Sequence, residues 1–402
     1  MLKRIFIILL IATTASAQTS ADLEKRLDEM KQQIEILTKE IEALKMGEQK
    51  PAAQADVSQY GLGAAASKVY RAEPGVSFGG YGEFGYFNPE HGTPSADFVR
   101  GVLYTGYKFN DRVLFNSELE VEHGTTEIGG SASLEFAYLD YLIKPQANVR
   151  AGLVLLPMGI INERHEPTAY LGARRPEVED RILPTTWSEL GAGVFGDAGS
   201  ITYRGYLVTG LDSTRFSAED SIHEGKQSGS EALAHDLAVT GRVDWHPFEG
   251  ALLGASVYSG GSGQGRGYKG NVTLGDVHAD AKFRGVSLRG VFARGHIGDA
   301  AAISQQNGQT IGSSTGGWYV EGGYDLPTRL AVTPYVRYER LDTQRRVPLG
   351  FERDPENDRR ITTFGFALKP ISQTVIKADY QIIHTRAGSN DNQLNLALGY
   401  IF

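Results

Sequence analysis

From Gly75 onward the sequence alternates with a period of two. Val99, Leu103, Tyr107 and Phe109 fall on one row, with Gly101 and Thr105 between them, and Arg100, Tyr104, Gly106 and Lys108 fall on the other. Leu237, Val239, Val243 and Trp245 oppose Thr240, Arg242 and Asp244 in the same way. So do Val277, Ala279, Ala281 and Phe283 against His278, Asp280 and Lys282, and Trp318, Val320 and Tyr324 against Tyr319 and Glu321. The last stretch sets Leu394, Leu396, Leu398, Tyr400 and Phe402 against Asn395, Ala397 and Gly399. Every charge in these five stretches lies on one row. The pattern predicts sixteen strands, at 75–87, 96–109, 112–122, 132–143, 147–158, 191–197, 200–210, 235–245, 251–259, 270–283, 286–297, 316–325, 330–341, 360–369, 374–385 and 392–402. Short turns and longer loops alternate between them.

A soluble sandwich would also alternate, because each sheet keeps one wet face. The aromatics argue for lipid instead. Phe109, Trp245, Phe283 and Tyr324 each stand on the apolar row directly before a turn, and Phe402 ends the last strand. Rings at one fixed depth read as an interfacial girdle. The expected fold is all-β: a sixteen-stranded antiparallel transmembrane β-barrel over 75–402, preceded by a short N-terminal coiled-coil helix. An even strand number closes the sheet antiparallel, and sixteen strands leave a lumen wide enough for water.

Residues 1–17 carry Lys3 and Arg4, an apolar run from Ile5 to Ala12, and Ala15-Ser16-Ala17. This is the pattern of a signal peptide, cut before Gln18. Over 18–46 a heptad places Leu27, Ile34 and Ile41 at a, and Leu23, Met30, Leu37 and Leu44 at d, which predicts a periplasmic coiled coil leaning towards two strands. A single amphipathic helix packed on the rest of the chain fits the same pattern. Gly47 and Pro51 end it, and 47–74 reads as a linker rich in small residues.

The connection 159–190 is much longer than an ordinary loop. It carries Glu163, Arg164, His165, Glu166, Arg174, Arg175, Arg181 and Trp187, with prolines at 167, 176 and 184. It is expected to fold inward as a constriction loop; the alternative is an outer lid or a latch onto a second subunit. By parity Arg100, Lys108, Glu118, Glu120, Arg150, Arg204, Arg242, Asp244, Asp280, Arg289, Glu321, Arg337 and Lys377 point into the lumen, with Glu83, Asp140, Glu339 and Asp379 among them. These mixed charges are expected to line a wet pore wall.

Composition narrows the chemistry. The 402 residues include 49 Gly and no Cys, which excludes disulfide frameworks, Cys-based zinc sites and thiol catalysis. A net charge of −8 argues against a nucleic-acid partner. Enzyme motifs fail: His165-Glu166 lacks the second His of a zinc-protease helix, and Asp354, Glu356 and Asp358 lack the Gly and distal Glu of a calcium loop. No cofactor or metal is expected.

Five stretches carry a resemblance: Gly61-Leu-Gly-Ala-Ala-Ala-Ser-Lys-Val-Tyr70, Val76-Ser-Phe-Gly-Gly-Tyr-Gly-Glu83, Ala137-Tyr-Leu-Asp-Tyr141, Pro157-Met-Gly-Ile-Ile-Asn-Glu-Arg-His-Glu-Pro167, and Arg175-Pro-Glu-Val-Glu with Ile182-Leu-Pro-Thr-Thr-Trp-Ser-Glu189. Together they resemble the phosphate-selective porin O and P family, and the terminal Leu-Gly-Tyr-Ile-Phe402 looks like an outer-membrane assembly signal. The resemblance implies a homotrimeric outer-membrane porin, surrounded by outer-membrane lipid and passing small hydrophilic solutes. The mixed lumen charges do not by themselves establish anion selectivity. The expected function is passive diffusion of such solutes, with a lean to anions such as phosphate. The alternatives are a sugar-selective channel with Tyr104, Tyr206, Tyr319 and Tyr335 as an aromatic slide, or an envelope tether reaching the cell wall through the N-terminal helix.

Overall fold

The computed structural model describes Lys31 and residues 58–126, 129–328 and 330–402. The expected signal peptide, the coiled coil apart from Lys31, and the first part of the linker lie outside the described residues. The strands run β1 (Gly75–Pro89), β2 (Ser95–Lys108), β3 (Val113–Glu122), β4 (Ser131–Lys144) and β5 (Ala147–Leu155). After a long connection come β6 (Ser188–Ala198), β7 (Ile201–Thr209), β8 (Leu237–Trp245), β9 (Ala251–Gly260), β10 (Val272–Phe283) and β11 (Val286–Ile297). The last are β12 (Ser314–Tyr324), β13 (Ala331–Arg346), β14 (Asp358–Lys369), β15 (Thr374–Thr385) and β16 (Gln393–Ile401).

Each strand pairs with its two sequence neighbours, and β1 closes on β16 from Tyr81 opposite Ile401 to Pro89 opposite Gln393. The seam is completed where the Gly80 amide donates to the Phe402 carbonyl (3.0 Å) and the Phe402 amide to Gly80 (2.9 Å). Closure leaves no ladder edge, which is the condition for placing strands in hydrocarbon. All sixteen predicted strands are present. The sixth starts earlier than expected, at Ser188, because Ser188 and Glu189 still pair with Leu155 and Val154. The fifth ends at Leu155 rather than 158: Pro157 offers no ladder amide.

The two rows separate as lipid and lumen require. Val239, Val277, Leu288, Val320 and Val336 are each more than half exposed, yet all are apolar. The opposite row is buried and charged: Glu118, Arg150, Arg337, Glu339 and Lys377 are at most 2% exposed. A mainly apolar exterior around a charged interior inverts the order of a water-soluble domain.

The chain ahead of β1 also enters the barrel. Residues 58–74, read from sequence as part of a linker, pack against the inner faces of β1 to β5, with one helical turn, α1 (Lys68–Arg71). Asn116 Nδ2 donates to the Ala66 carbonyl (3.0 Å) and Lys108 Nζ to Ala72 (3.1 Å). A second helix, α2 (Ala300–Asn307), lies in the β11–β12 loop, where Asn307 Nδ2 donates to the carbonyls of Ser213 and Phe216 (both 2.9 Å).

The wall's depth dependence is measurable. Val320→Arg, in the middle of β12, should lower unfolding free energy in vesicles by about 2–4 kcal/mol, and Val286→Arg at a strand end by about 1 kcal/mol or less, in urea titrations. Equal costs at the two positions would contradict a lipid-facing exterior.

Candidate functional site: a lumen crossed by one loop

The β5–β6 connection leaves the wall through a closed base. The Leu156 amide donates to the Trp187 carbonyl (2.9 Å), and Asn162 clamps both sides, donating to Leu156 (2.7 Å) and Trp187 (3.0 Å) and accepting from the Trp187 amide (2.7 Å). Trp187 is fully buried there, with its ring 4.7 Å from that of Tyr258. It serves the base and lines neither of the two cavities that adjoin the loop.

From this base the loop crosses to the far wall. The Gly159 amide donates to Asp276 of β10 (3.1 Å), and the Val178 amide to Glu339 of β13 (3.3 Å). Glu179, wholly buried, accepts from the amides of Ile160 and Ile161 (both 2.6 Å) and from the Tyr319 hydroxyl (2.5 Å). Arg289 holds the Ala169 carbonyl (3.0 Å), Asp379 accepts from the Ala173 amide (2.6 Å), and the Tyr170 hydroxyl donates to Glu83 (2.7 Å). The loop is thus stitched to β1, β10, β11, β12, β13 and β15.

Residues 58–74 are stitched to the loop in turn. Glu166 turns its carboxylate onto the amides of Ala65 (2.9 Å) and Ala66 (3.1 Å). Glycine is needed here: a Cβ on Gly61, at φ +88°, would stand 2.7 Å from the Arg204 guanidinium, and one on Gly63 would overlap the Glu166 carboxylate. Tyr70 donates to Asp140 (2.7 Å) and accepts from Arg150 (2.8 Å), whose guanidinium also lies over the Tyr138 ring at 3.9 Å.

The predicted lumen residues all face inward, but most are paired rather than solvated. Arg150 pairs with Asp140 (2.8 Å), Arg204 with Glu163 (3.1 Å) and Asp244 (2.9 Å), Arg242 with Asp244 (2.8 Å), and Arg337 with Glu339 (2.8 Å) and Glu321 (3.3 Å). Asp244 also meets His278 (2.9 Å), Glu118 meets His165 of the loop (3.0 Å), and Glu120 stands 3.7 Å from Arg100. Glu118, Glu120, Arg150, Arg204, Arg242, Asp244, Arg337 and Lys377 are at most 5% exposed, against the expectation of a wet wall. The reason is that the loop and the N-terminal segment occupy the volume these side chains would otherwise share with water.

Two cavities adjoin the crossing loop. One, about 650 Å³, opens among the short turns and is lined by Arg164, Asp280, Arg289 and Glu321 of the predicted set. The other, about 670 Å³, opens among the long loops and is lined by Arg100, Arg174, Arg175 and Arg181 together with Glu83 and Glu177. Tyr170 lines both. Lys377 Nζ sits 3.5 Å from the centre of the Tyr170 ring. Sequence reasoning gave no separate role to Tyr170, Glu179 or Asn162 and did not place residues 58–74 in the lumen. The Gly-Leu-Gly-Ala-Ala-Ala tract was the available signal for close packing, but not for where it packs.

Sixteen strands closed around a loop-crossed, charged lumen make the porin fold, and solved structures carry it. An anion-selective porin from Comamonas acidovorans superposes with a TM-score of 0.57 at 10% identity, over 82% of this chain and 100% of that one. OmpT of Vibrio cholerae in its trimer form gives 0.54 at 11%, over 81% and 99%, and the outer-membrane channel DcaP of Acinetobacter baumannii gives 0.54 at 15%, over 81% and 97%. No family model matches the sequence. An uncharacterised protein of Aquifex aeolicus (strain VF5) is 38% identical over 341 residues, covering 80% of this chain and 78% of that one, and this chain belongs to the same family.

The crossing loop carries a pH dependence. Burial raises the carboxyls of Glu166 and Glu179, more than the amides donating to them lower them. Burial acts downward on His165, but the Glu118 carboxylate beside it outweighs that and holds the imidazole above its usual range. A group raised in the docked state contributes fully below its free pKa and loses that contribution as pH rises through the docked value. All three therefore hold the loop more firmly in acid. Open-channel current noise should be lower at about pH 5 than at about pH 8, and His165→Gln should flatten the upper part of that difference. Glu179→Ala, which leaves two buried amides unpaired, should raise the noise at every pH. Noise independent of pH would contradict this account.

Proposed function

We propose that this chain is a porin of the bacterial outer membrane, a homotrimer that lets small hydrophilic solutes diffuse passively, anions such as phosphate foremost. The observation that carries the anionic lean is the cation set around Tyr170. Lys377 Nζ is buried and, among the described residues, has no hydrogen-bond partner, and the Nε groups of Arg100 and Arg175 also donate no bond. A passing anion meets Arg100, Arg174, Arg175 and Arg181 along the long-loop cavity, whereas a cation meets Glu83 already engaged by the Tyr170 hydroxyl and by Arg100 at 3.5 Å. The motifs that resemble the phosphate-selective porin family support the same direction, and the names of the structural neighbours support a channel of the outer membrane.

The sugar reading has less support. Tyr104, Tyr206, Tyr319 and Tyr335 are at most 6% exposed, and the hydroxyls of Tyr319 and Tyr335 are bonded to Glu179 and Asp379. The tether reading stands beside the pore on the heptads of 18–46. Deleting residues 19–50 should release the barrel from the cell wall with conductance unchanged.

Planar-bilayer recordings in a salt gradient should give a reversal potential of anionic sign, with phosphate slowing chloride current more than maltose does. Lys377→Gln should move the reversal potential towards zero, and Tyr170→Ala, which joins the two cavities, should raise conductance. A cation-selective wild type would reject the anionic lean.

A further inference from the structure

We propose that the outer wall of β11 to β15, near the long-loop end, binds a phosphorylated lipid headgroup. The leaflet that supplies this lipid rests on the outer-membrane reading above. The site is a row of cations on the lipid-facing side. Arg294 lies opposite Gly316, Trp318 opposite Arg340, Arg340 opposite Arg360, and Arg360 opposite His384. These residues keep the parity of Phe292, Val320, Val336 and Phe364, which are 48–53% exposed, and the three arginines and His384 are themselves exposed. Arg345 joins them: its Cδ lies 3.3 Å from the point where a Cβ on Gly316 would sit, so its stem folds back over that glycine beside Arg294.

Charge of this kind is costly on a wall that touches lipid, and like charges directly opposite on a sheet repel. Internal carboxylates do not resolve it. Among the described residues no ion pair reaches Arg294, Arg345 or Arg360, and Arg340 has Asp358 at 3.8 Å, which Arg353 and Arg386 share. The corresponding outward positions on β6 to β9 are Leu190, Leu207, Val239 and Val257, so the cations belong to this face and not to the rim in general. Arginine stems lie along apolar surface while their heads reach the headgroup level, and each guanidinium fork matches a phosphate. The Trp318 and Tyr338 rings, 5.4 Å apart on the same face, mark that level. Two arginine pairs, Arg340 with Arg360 and Arg294 with Arg345, suit a headgroup with two phosphates.

The test uses the full chain in neutral detergent with bisphosphorylated lipid A as the probe, retention being read by native mass spectrometry. The wild type should retain lipid A and not phosphatidylcholine. R340Q/R360Q should weaken retention by about 25-fold, at roughly five-fold per arginine, with conductance unchanged because neither side chain enters the lumen. R294Q/R345Q, an independent pair, should do the same. Retention unaltered in both variants overturns the proposal. So does complete displacement by inorganic phosphate at equal concentration, which would make the site one for free anions, or a changed oligomeric state with lipid retention intact, which would make it a protein contact. A chain that conducts but retains no lipid A sinks this inference alone; one that retains lipid A and conducts nothing sinks the pore reading alone.

Discussion

Everything in this molecule follows from one requirement: backbone amides and carbonyls placed in hydrocarbon must find partners within the chain. The β1–β16 seam meets it, and once the ladder is closed each residue has two destinations only. Outward side chains face lipid and inward ones face whatever fills the lumen. The apolar exterior and charged interior are consequences of that closure, not independent features.

The same closure creates a second problem. A lumen studded with arginines and carboxylates is acceptable when wet, but here a long loop and the segment before β1 displace much of the water. Removing water from an ion is costly unless another charge or several hydrogen bonds replace it. The pairs Arg150 with Asp140, Arg204 with Glu163 and Asp244, and Arg337 with Glu339 are the replacement. Removing one partner of such a pair typically costs about 3–5 kcal/mol, whereas the intact pair adds little net stability. The network therefore fixes where the loop lies more than it strengthens the barrel. Among the described residues the groups it leaves without a hydrogen bond include Lys377, Arg100 and Arg175 near Tyr170, and also Glu120, Glu163 and Arg204 elsewhere on the wall.

Much of this was legible in the linear pattern. Strand number, parity and the inward set follow from a period of two, because a pleated chain sends successive side chains to opposite faces. Small errors arose at strand ends: β5 stops at Leu155 ahead of a proline, and β6 begins at Ser188 because its partner continues. The candidate site was half legible. Parity correctly turned Glu118 and Arg150 inward but could not reveal that His165 and Tyr70, 47 and 80 positions away, would meet them there.

By itself, then, the sequence determined a closed sheet of sixteen strands, its two faces and the one connection too long to be an ordinary loop. These are short-range properties, set by residue type and spacing of two. Long-range packing placed residues 58–74 inside the barrel, turned Glu166 and Glu179 onto backbone amides and set Tyr170 between two cavities. The physical reason is that a lumen is shared space. Which side chain meets water, which meets a partner and which is left free depends on the volume claimed by segments far apart in the chain, and periodicity does not record it.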